Sequence, residues 1–515
     1  MRKVILIFLL FFLLFPVSCS HSLPIPQYDP EGVLRFSLGG EISVLNPILS
    51  TDNVSSAVEG TIFSGMVTFN ERLEPVPDLA TGWSVSKDGK TWTFKLRQDI
   101  KWHDGVPLTA ADVVFTFNSI LNPKVNSVRR SDYIIDGKPI VFSAPDKYTV
   151  VAKLPKPFAP FLIHTAMGVL PRHRLAGKDI NTAEFNRKPV GTGPFVFKEW
   201  QTGDHVTVAR NLFYYKGKPL LKAINYRIIP DENSSLIALE AGEIDETGIP
   251  AKDYIRMKSV KGIKVYDWDV LLYTYLGFNL ANPKFADKRV RQALAYATDR
   301  QQLIGLICHG LATPAYAPSA PISWAYSDKV PKYEYNLDKA RQLLKAAGAE
   351  NLEFTILVNQ GNKEREKAAV ILQQQYKKIG VKVNIRVMEW SAILKIVNAP
   401  KDPKEFEAII MGWSLGLDPD AYSIWHSSQY PKGFNFIKYV NPTVDRLLEQ
   451  GGTTIDKSRR KAIYARLWKT IAEDQPYIFL WYPKAVSGVN ERVGGLSKPG
   501  PAGLFLQIEK VYIKK

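Results

Sequence analysis

A serine between two glycines is the first candidate for chemistry in this sequence. Residues 412–416 read Gly-Trp-Ser-Leu-Gly, the Gly-x-Ser-x-Gly pattern that presents the nucleophile of many hydrolases. In those enzymes a strand precedes the serine and a helix starts directly after it. The apolar run 406–413 predicts the strand, but Pro419 follows closely, and a residue before proline avoids the helical conformation. The only later histidine is His426, and no glycine-rich oxyanion loop is found, so the pattern argues against Ser414 as a nucleophile.

Neither metal nor nucleotide chemistry is indicated by the other reactive side chains. The seven histidines include no pair at helical or zinc-finger spacing, and the chain has two cysteines, Cys19 and Cys308. The glycine-rich stretch 191–195 lacks the Lys-Ser/Thr of a phosphate loop and precedes an alternating pattern, so it predicts a turn. We therefore predict no enzymatic activity, no cofactor and no resident metal, while a scattered metal-chelate site stays open.

The positive charge of the chain is spread out. The formal net charge is +17 over 515 residues, yet no run of five or six lysines or arginines occurs. Such scattering predicts a solvated basic surface and no nucleic-acid partner. The length predicts two or three domain-sized units.

The N-terminus carries an export pattern. A short basic start is followed by an unbroken apolar run over 4–15, which is too short to span a membrane comfortably. Cys19 after a small residue resembles a bacterial lipobox, although Pro16 stands where leucine is usual. We predict a lipoprotein-type signal peptide over 1–18, lipidation of Cys19 and a tether over 19–32; an ordinary secretion signal is the alternative. The protein would then lie outside the cytoplasm, in a periplasm or on the outer face of the cell membrane.

Helix and strand patterns alternate along the remaining chain. Thr109 and Asp112 form a capping-box variant that predicts a helix over 109–120, and Trp92, Phe94 and Leu96 share one face of a strand over 90–97. Further patterns predict helices over 286–310, 336–348 and 363–380, and strands over 352–358, 381–390 and 406–413. This alternation predicts an α/β fold.

Several segments together resemble one protein family. The chain is similar, over about residues 33–510, to the dipeptide/oligopeptide-binding proteins of bacterial ABC importers, a family-5 class of extracytoplasmic solute-binding proteins that includes nickel-chelate binders. The segments that carry this resemblance are PDLATGWSVSKDGKTWTFKLRQDIKWHDGVPLTAADVVFTF (77–117), VGTGPFVFKEW (190–200), ALEAGEIDETG (238–248), DKRVRQALAYATDR (287–300), YNLDKARQLLKAAG (335–348) and NPTVDRLL (441–448).

The resemblance implies a two-lobed α/β fold of the periplasmic-binding-protein type (type II-like). Lobe one would hold residues 33–275 plus 486–515, with an extra subdomain at about 55–185, and lobe two would hold 276–485. Crossovers near 275–280 and 482–487 would act as the hinge that closes the lobes on a ligand.

The resemblance also implies a function. It predicts a monomeric receptor that captures oligopeptides between the lobes and delivers them to an ABC permease in the membrane. A non-peptide solute, such as a nickel chelate or an oligosaccharide, is the alternative ligand, and a sensing role stays open. No catalytic constellation competes with this interpretation.

Site residues follow by matching to the family. Trp413 matches a cleft tryptophan, but Gly416 stands where peptide-binding members often carry the aspartate that pairs with the ligand's ammonium. Asp418 would replace that aspartate, or would only cap the turn before a proline. Trp390 would line the cleft, or pack in the core. The other predicted ligand contacts are Thr51, Asp52 and Asn53, by backbone strand pairing, and Tyr133 from the subdomain.

Overall fold

The computed structural model describes residues 27–515 except Thr51 and Lys432. The predicted signal peptide, Cys19 and most of the tether lie outside the described residues, so those predictions stay open. Within the described part, no helix has the length and apolar character needed to cross a bilayer.

Strands and helices alternate along the described chain. The strands are β1 (Val33–Leu38), β2 (Val67–Phe69), β3 (Pro75–Pro77), β4 (Ala80–Val85), β5 (Thr91–Leu96), β6 (Ile134–Ile135), β7 (Lys138–Pro139), β8 (Val141–Asp146), β9 (Thr149–Lys153), β10 (Phe195–Gln201), β11 (His205–Arg210), β12 (Ala223–Ile228), β13 (Glu246–Gly248), β14 (Ile263–Asp269), β15 (Leu272–Phe278), β16 (Ala312–Pro314), β17 (Glu353–Asn359), β18 (Lys382–Met388), β19 (Ala408–Ser414), β20 (Tyr477–Asn490), β21 (Val493–Gly494) and β22 (Tyr512–Ile513). The α-helices are α1 (Asn53–Ile62), α2 (Ala110–Leu121), α3 (Phe161–His164), α4 (Arg172–Leu175), α5 (Glu232–Glu240), α6 (Tyr254–Lys258), α7 (Lys288–Tyr296), α8 (Arg300–Ile307), α9 (Leu337–Ala346), α10 (Lys363–Lys377), α11 (Trp390–Asn398), α12 (Tyr422–Trp425), α13 (Pro442–Thr453) and α14 (Lys457–Asp474).

The main sheet has two halves that share one strand. Its strand order is β10-β11-β12-β1-β13-β20-β15-β19-β17-β18, and β14 and β16 also pair with β20. Parallel pairs occur in both halves, β1 with β12 and β13, and β17 with β18 and β19. A separate four-stranded sheet, β4-β5-β9-β8, lies within the range predicted for the subdomain. This mixed arrangement confirms the predicted α/β class.

The hydrophobic cores follow the two halves. Two buried clusters are built from residues before Asp269 together with residues after Lys484. Two others are built from residues between Leu271 and Tyr482. We refer to these halves as lobe one and lobe two. The core beneath the four-stranded sheet is continuous with that of the lobe-one half of the main sheet.

Strand β20 connects the lobes. Its residues 477–481 pair with β15 in lobe two, and its residues 484–490 pair with β14 in lobe one. Pro483 lies between these segments and has no N–H to donate to a ladder. On the other connection, the change of lobe occurs between Asp269 and Leu272, a few residues before the crossover predicted near 275–280. The second predicted crossover, 482–487, contains the observed change of partner.

Most predicted elements occur where the patterns place them, with one clear exception. The capping box of α2 is present, because the Thr109 N–H donates to the Asp112 carboxylate at 2.9 Å. The single helix predicted over 286–310 is wrong, because α7 ends before Ala297 and α8 starts after Asp299. The Asp299 side chain accepts a hydrogen bond from the Gln302 N–H and so caps a new helix inside the apolar pattern.

A buried carboxylate holds the lobe-one strands to the C-terminal segment. Asp245 is fully buried, and its oxygens accept hydrogen bonds from Arg35 on β1 and from Arg492 beyond β20 at 2.6–3.1 Å. Burial alone would raise the pKa of Asp245, but the two guanidinium groups lower it below its ordinary value.

We expect Asp245→Ala to lower the free energy of unfolding by about 3–5 kcal/mol, because it leaves two arginines without their buried partner. The wild-type contribution is lost as pH falls below the ordinary Asp pKa and through the lowered folded value. Urea unfolding followed by circular dichroism measures both effects. Glu184→Ala is the control, because its pair with Lys188 is largely exposed, and no measurable change in stability is expected. Equal stability of the two variants would contradict this role.

Candidate functional site

A cavity of about 950 Å³ lies between the two lobes. Lobe one contributes residues within 131–136 and 156–164, and lobe two contributes residues within 416–423 and 446–453. Beside the cavity the lobes are in direct contact, because the Ala159 N–H donates to the Gly452 carbonyl at 2.8 Å. Lys457 of lobe two also pairs with Glu74 of lobe one at 2.6 Å. The volume lies in the range of small-molecule sites in proteins.

The loop after β19 forms one part of the lobe-two wall of this cavity, and α13 forms the other. Trp413 is partly buried and stacks on Phe436, with ring centroids 5.7 Å apart. Behind the loop lies a smaller cavity of about 190 Å³, which Trp413 lines and which shares Gly416, Asp418 and Asp420 with the larger one. The predicted loop therefore does lie at the interlobe cavity, whereas Trp413 reaches only its smaller neighbour.

Ser414 ends a strand, β19, but lacks the helix that follows the serine directly in a nucleophile elbow. The next helix, α12, starts eight residues later at Tyr422. The His426 Nδ1 is 2.8 Å from the Ser428 hydroxyl, so this histidine contacts a serine other than Ser414. This local geometry agrees with the sequence argument against a hydrolase motif.

Asp418 is already occupied by a protein cation. Its two oxygens accept hydrogen bonds from the Arg460 guanidinium at 2.6 and 2.7 Å, and both side chains are nearly buried. One oxygen also accepts from the Asp420 N–H at 2.9 Å, which is the turn-capping alternative. Burial opposes the charge of Arg460, but Asp418 raises the pKa of this guanidinium above its ordinary value. The geometry therefore favours a structural role for Asp418, and its direct contact with a ligand stays a prediction.

Gly416 leaves room for a side chain. Its φ is not in the left-handed region, and a Cβ built there meets the Asp418 carbonyl oxygen at 3.5 Å and the Asp418 nitrogen at 4.0 Å, both ordinary contacts. The backbone of this loop would therefore accommodate the aspartate that peptide-binding members often carry at this position.

Asp420 is a cavity residue that sequence reasoning missed. It lines both cavities and is partly buried, and its Oδ1 accepts a hydrogen bond from the Tyr422 N–H at 3.1 Å. Burial, followed by the neighbouring Asp418 charge, raises the pKa of Asp420 to about 6. The sequence signal that could have identified Asp420 is the Asp-Pro-Asp tripeptide that begins with Asp418.

His164 is a second residue that sequence reasoning missed. It lines the cavity from lobe one, with its Nδ1 4.0 Å from Asp132. Burial lowers the pKa of His164, so the imidazole is neutral at pH 7. Nothing in its sequence context distinguished it from the other scattered histidines.

The lobe-one residues predicted to bind ligand have other environments. The Asp52 carboxylate caps α1 by accepting from the Ser55 N–H at 2.6 Å, and Asn53 is exposed at the start of that helix. Neither residue is among the described residues that line the interlobe cavity. Thr51 lies outside the described residues. Trp390 begins α11 with 38% of its surface exposed and, among the described residues, is also not part of the cavity lining.

Tyr133 is not among the described residues that line the interlobe cavity, and its contact with a ligand stays a prediction. Its side chain is fully buried among Phe117 and Phe142, and its hydroxyl donates to the His164 carbonyl at 2.7 Å. Instead its chain neighbours, including Ser131 and Asp132, line the cavity. Arg129 is partly buried and Arg130 is exposed, and neither is among the described lining residues.

No group of three or more His, Cys, Asp or Glu side chains that could hold a metal ion occurs in the part of the chain that the structure describes.

Comparison with known proteins identifies the family. The profile of the bacterial extracellular solute-binding proteins, family 5 Middle, matches residues 74–435. The chain belongs to this family. It is 36% identical over 499 residues to the oligopeptide-binding protein AppA of Bacillus subtilis, which covers 92% of this chain and 90% of AppA.

Solved structures of the family align over nearly the whole chain. AppA from Bacillus subtilis in complex with a nonapeptide is similar at 35% identity and a TM-score of 0.77, covering 95% of this chain and 100% of that one. The ABC transporter substrate-binding protein CtaP from Listeria monocytogenes gives 32% identity and a TM-score of 0.87, covering 94% and 99%. NikZ from Campylobacter jejuni in complex with Ni(L-His) gives 29% and 0.78, covering 94% and 100%. The predicted two-lobed periplasmic-binding-protein fold is confirmed.

We expect Asp418→Ala to destabilise the protein by about 3–5 kcal/mol, because Arg460, with 5% of its side chain exposed, would lose its partner. Thermal and urea unfolding of the ligand-free protein measure this loss. Ser414→Ala, at the exposed end of β19 just before this loop, is the control and should unfold like the wild type. An Asp418→Ala variant that keeps full stability but no longer binds ligand would show that Asp418 is a ligand contact instead.

Proposed function

We propose that this protein captures oligopeptides between its two lobes and delivers them to an ABC permease. The observation that carries this proposal is the 950 Å³ interlobe cavity in a chain that aligns over 95% of its length with a nonapeptide-bound receptor. Trp413 and the loop that follows it would contact the ligand directly or shape the wall of the site around it. Residues 51–53 would pair with the peptide backbone by strand addition, a mode that tolerates many sequences.

The division into lobes supports a closing mechanism. We place lobe one at about 33–275 plus 486–515, including the subdomain at 55–185, and lobe two at 276–485. The pairing of β14 with one part of β20 and of β15 with the other supports crossovers at residues 270–271 and at Pro483, which would shift the first of these bounds by a few residues. Rotation about these two short segments would open and close the cavity without rearranging either core.

A non-peptide solute is the second candidate ligand. Gly416 stands where an ammonium-binding aspartate was expected, and Asp418 is paired with Arg460. The similarity to NikZ, solved with Ni(L-His), adds a chelate to the possible ligand classes. In that case the interlobe cavity and the hinge would serve the same purpose with a smaller ligand.

The site of action would be the outer face of the cytoplasmic membrane or a periplasm. Signal cleavage before Cys19 and lipidation of its thiol would anchor a monomeric receptor near its permease, with residues 19–32 as the tether. A role in reporting ligand to another membrane protein would use the same cavity.

We expect a peptide pool to raise the melting temperature of the soluble protein, residues 20–515. Binding to the folded state alone stabilises by about 2.7 kcal/mol at a hundredfold excess over Kd. Differential scanning calorimetry with peptides of two to ten residues measures the shift, and oligosaccharides and nickel chelates at equal concentration are the comparison. Stabilisation by a chelate or a sugar, with none by peptides, would replace the peptide proposal with the second candidate.

We expect Cys19→Ser to move the protein from the membrane fraction to the soluble extracytoplasmic fraction, because the serine hydroxyl does not accept the lipid. Fractionation and mass spectrometry of the N-terminal peptide measure anchoring and lipid mass together. Cys308→Ser is the matched control and should leave the protein in the membrane fraction. A wild-type protein without lipid on Cys19 would contradict the anchor.

A further inference from the structure

The interlobe cavity is acidic although the chain is strongly basic. Five carboxylates line it, against one lysine and one arginine, while the whole chain carries a formal charge of +17. The carboxylates are Asp132, Asp136, Asp418, Asp420 and Glu449, and the bases are Lys156 and Arg446. His164 adds no charge at pH 7, because burial lowers its pKa. A general basic surface therefore gives way to an excess of negative charge where the lobes meet.

Two of these carboxylates are neutralised by protein cations. Asp136 pairs with Lys156 at 2.8 Å, and Asp418 pairs with Arg460. The other three, Asp132, Asp420 and Glu449, have no lysine or arginine at ion-pair distance within the described residues. Asp132 and Glu449 have only histidine nitrogens nearby, at 4.0 and 3.4 Å. Arg446 is the one lining base left to offset them, and its recorded side-chain contact is the Thr443 hydroxyl at 3.4 Å.

Asp420 is the most constrained of the three unpaired carboxylates. Its Oδ1 accepts a hydrogen bond from the Tyr422 N–H. Both oxygens of Asp418, two residues before it, accept hydrogen bonds from Arg460. A partly buried carboxylate beside a second carboxylate is unfavourable unless a proton or a cation joins it. Because Asp420 lies on the wall shared by both cavities, a ligand group can approach it from the interlobe side.

We propose that the cavity selects ligands with positive charge and that Asp420 is the residue that meets an ammonium or guanidinium group of the ligand. This inference rests on the proposed function and names the substrate class, cationic peptides. The charge can come from a free amino terminus or from a lysine or arginine side chain. Either group would form a charge-assisted hydrogen bond in a partly dehydrated site.

The proposal carries a pH dependence. The charged or titratable groups that face Asp420 or share its cavity, among the described residues, are Asp418, Arg460, Tyr464, Asp132, Asp136, Lys156, His164, Tyr422, Arg446 and Glu449. Since the pKa of Asp420 is raised to about 6, the ionised form that a cation prefers is reached only above that value. The affinity for a cationic ligand therefore rises as pH increases through about 6 and levels off above it. The affinity for a neutral ligand has no such dependence on Asp420.

The test is calorimetric titration of the soluble wild-type protein with peptides of equal length. The set varies the side chain, Lys against norleucine against Glu, and the amino terminus, free against acetylated, so that the two sources of charge are separated. We expect cationic peptides to bind at least about tenfold more tightly than neutral ones at pH 7.5, with the advantage reduced at pH 5. A tenfold difference corresponds to one charge-assisted contact.

Asp420→Asn should remove about tenfold of the affinity for cationic peptides and leave neutral peptides unchanged. Glu184→Gln, an exposed residue outside the cavity, changes the net charge equally and should have no effect. Equal affinity of the wild type for cationic and neutral peptides would overturn the proposal, and so would an equal loss for both in Asp420→Asn. The wild-type comparison decides the matter even if the variant does not fold.

Failure to bind any peptide would refute the proposed function separately. The same proteins would then be titrated with spermidine and with an uncharged oligosaccharide. Binding of spermidine that is lost in Asp420→Asn would keep the cation selectivity, and absence of spermidine binding would overturn it.

Discussion

The shared strand β20 is the constraint on which the two-lobed arrangement depends. One continuous strand of 14 residues belongs to both halves of the main sheet, so the lobes cannot separate without bending it. The bend has a defined place, because Pro483 removes one ladder donor between the segment paired with β15 and the segment paired with β14. The interlobe cavity is therefore framed by two cores that share this strand, and under the proposed closing mechanism they would rotate about it.

The chemistry of the cavity follows from how the lobe-two loop is held. Arg460 lies on α14 and is buried against Trp324 and Tyr464. It fixes Asp418 and thereby the whole turn from Gly416 to Asp420. Because Arg460 neutralises the charge of Asp418, the negative charge that faces the cavity comes from other carboxylates. A buried ion pair thus sets both the shape of the wall and its electrostatic character.

Local patterns in the sequence were sufficient for the fold class and for most elements. The capping box at Thr109, the alternation in β5 and β18 and the glycine after α9 all concern residues that are close in sequence. The break between α7 and α8 was missed because one capping aspartate outweighs a continuous apolar pattern. The exchange of strand partners before β15 could not be located from local patterns, because strand pairing is a property of residues that are distant in sequence.

The candidate site was less predictable for the same reason. Asp418 and Arg460 are 42 residues apart, and no local signal connects them. Tyr133 was expected at the cleft, but its burial depends on how α2 and β8 pack around it. Family matching pointed to a loop that lines the interlobe cavity, whereas the place of Asp420 on the wall of both cavities depends on contacts between distant segments.

The most direct test of the central claim is mass spectrometry of the small molecules that co-purify with the soluble protein. The protein would be expressed in a bacterium, purified without denaturant, then denatured to release its ligand. Our account predicts a mixture of peptides, since strand pairing and a cavity between lobes accept many sequences. A single non-peptide species, such as a metal chelate or an oligosaccharide, would contradict it.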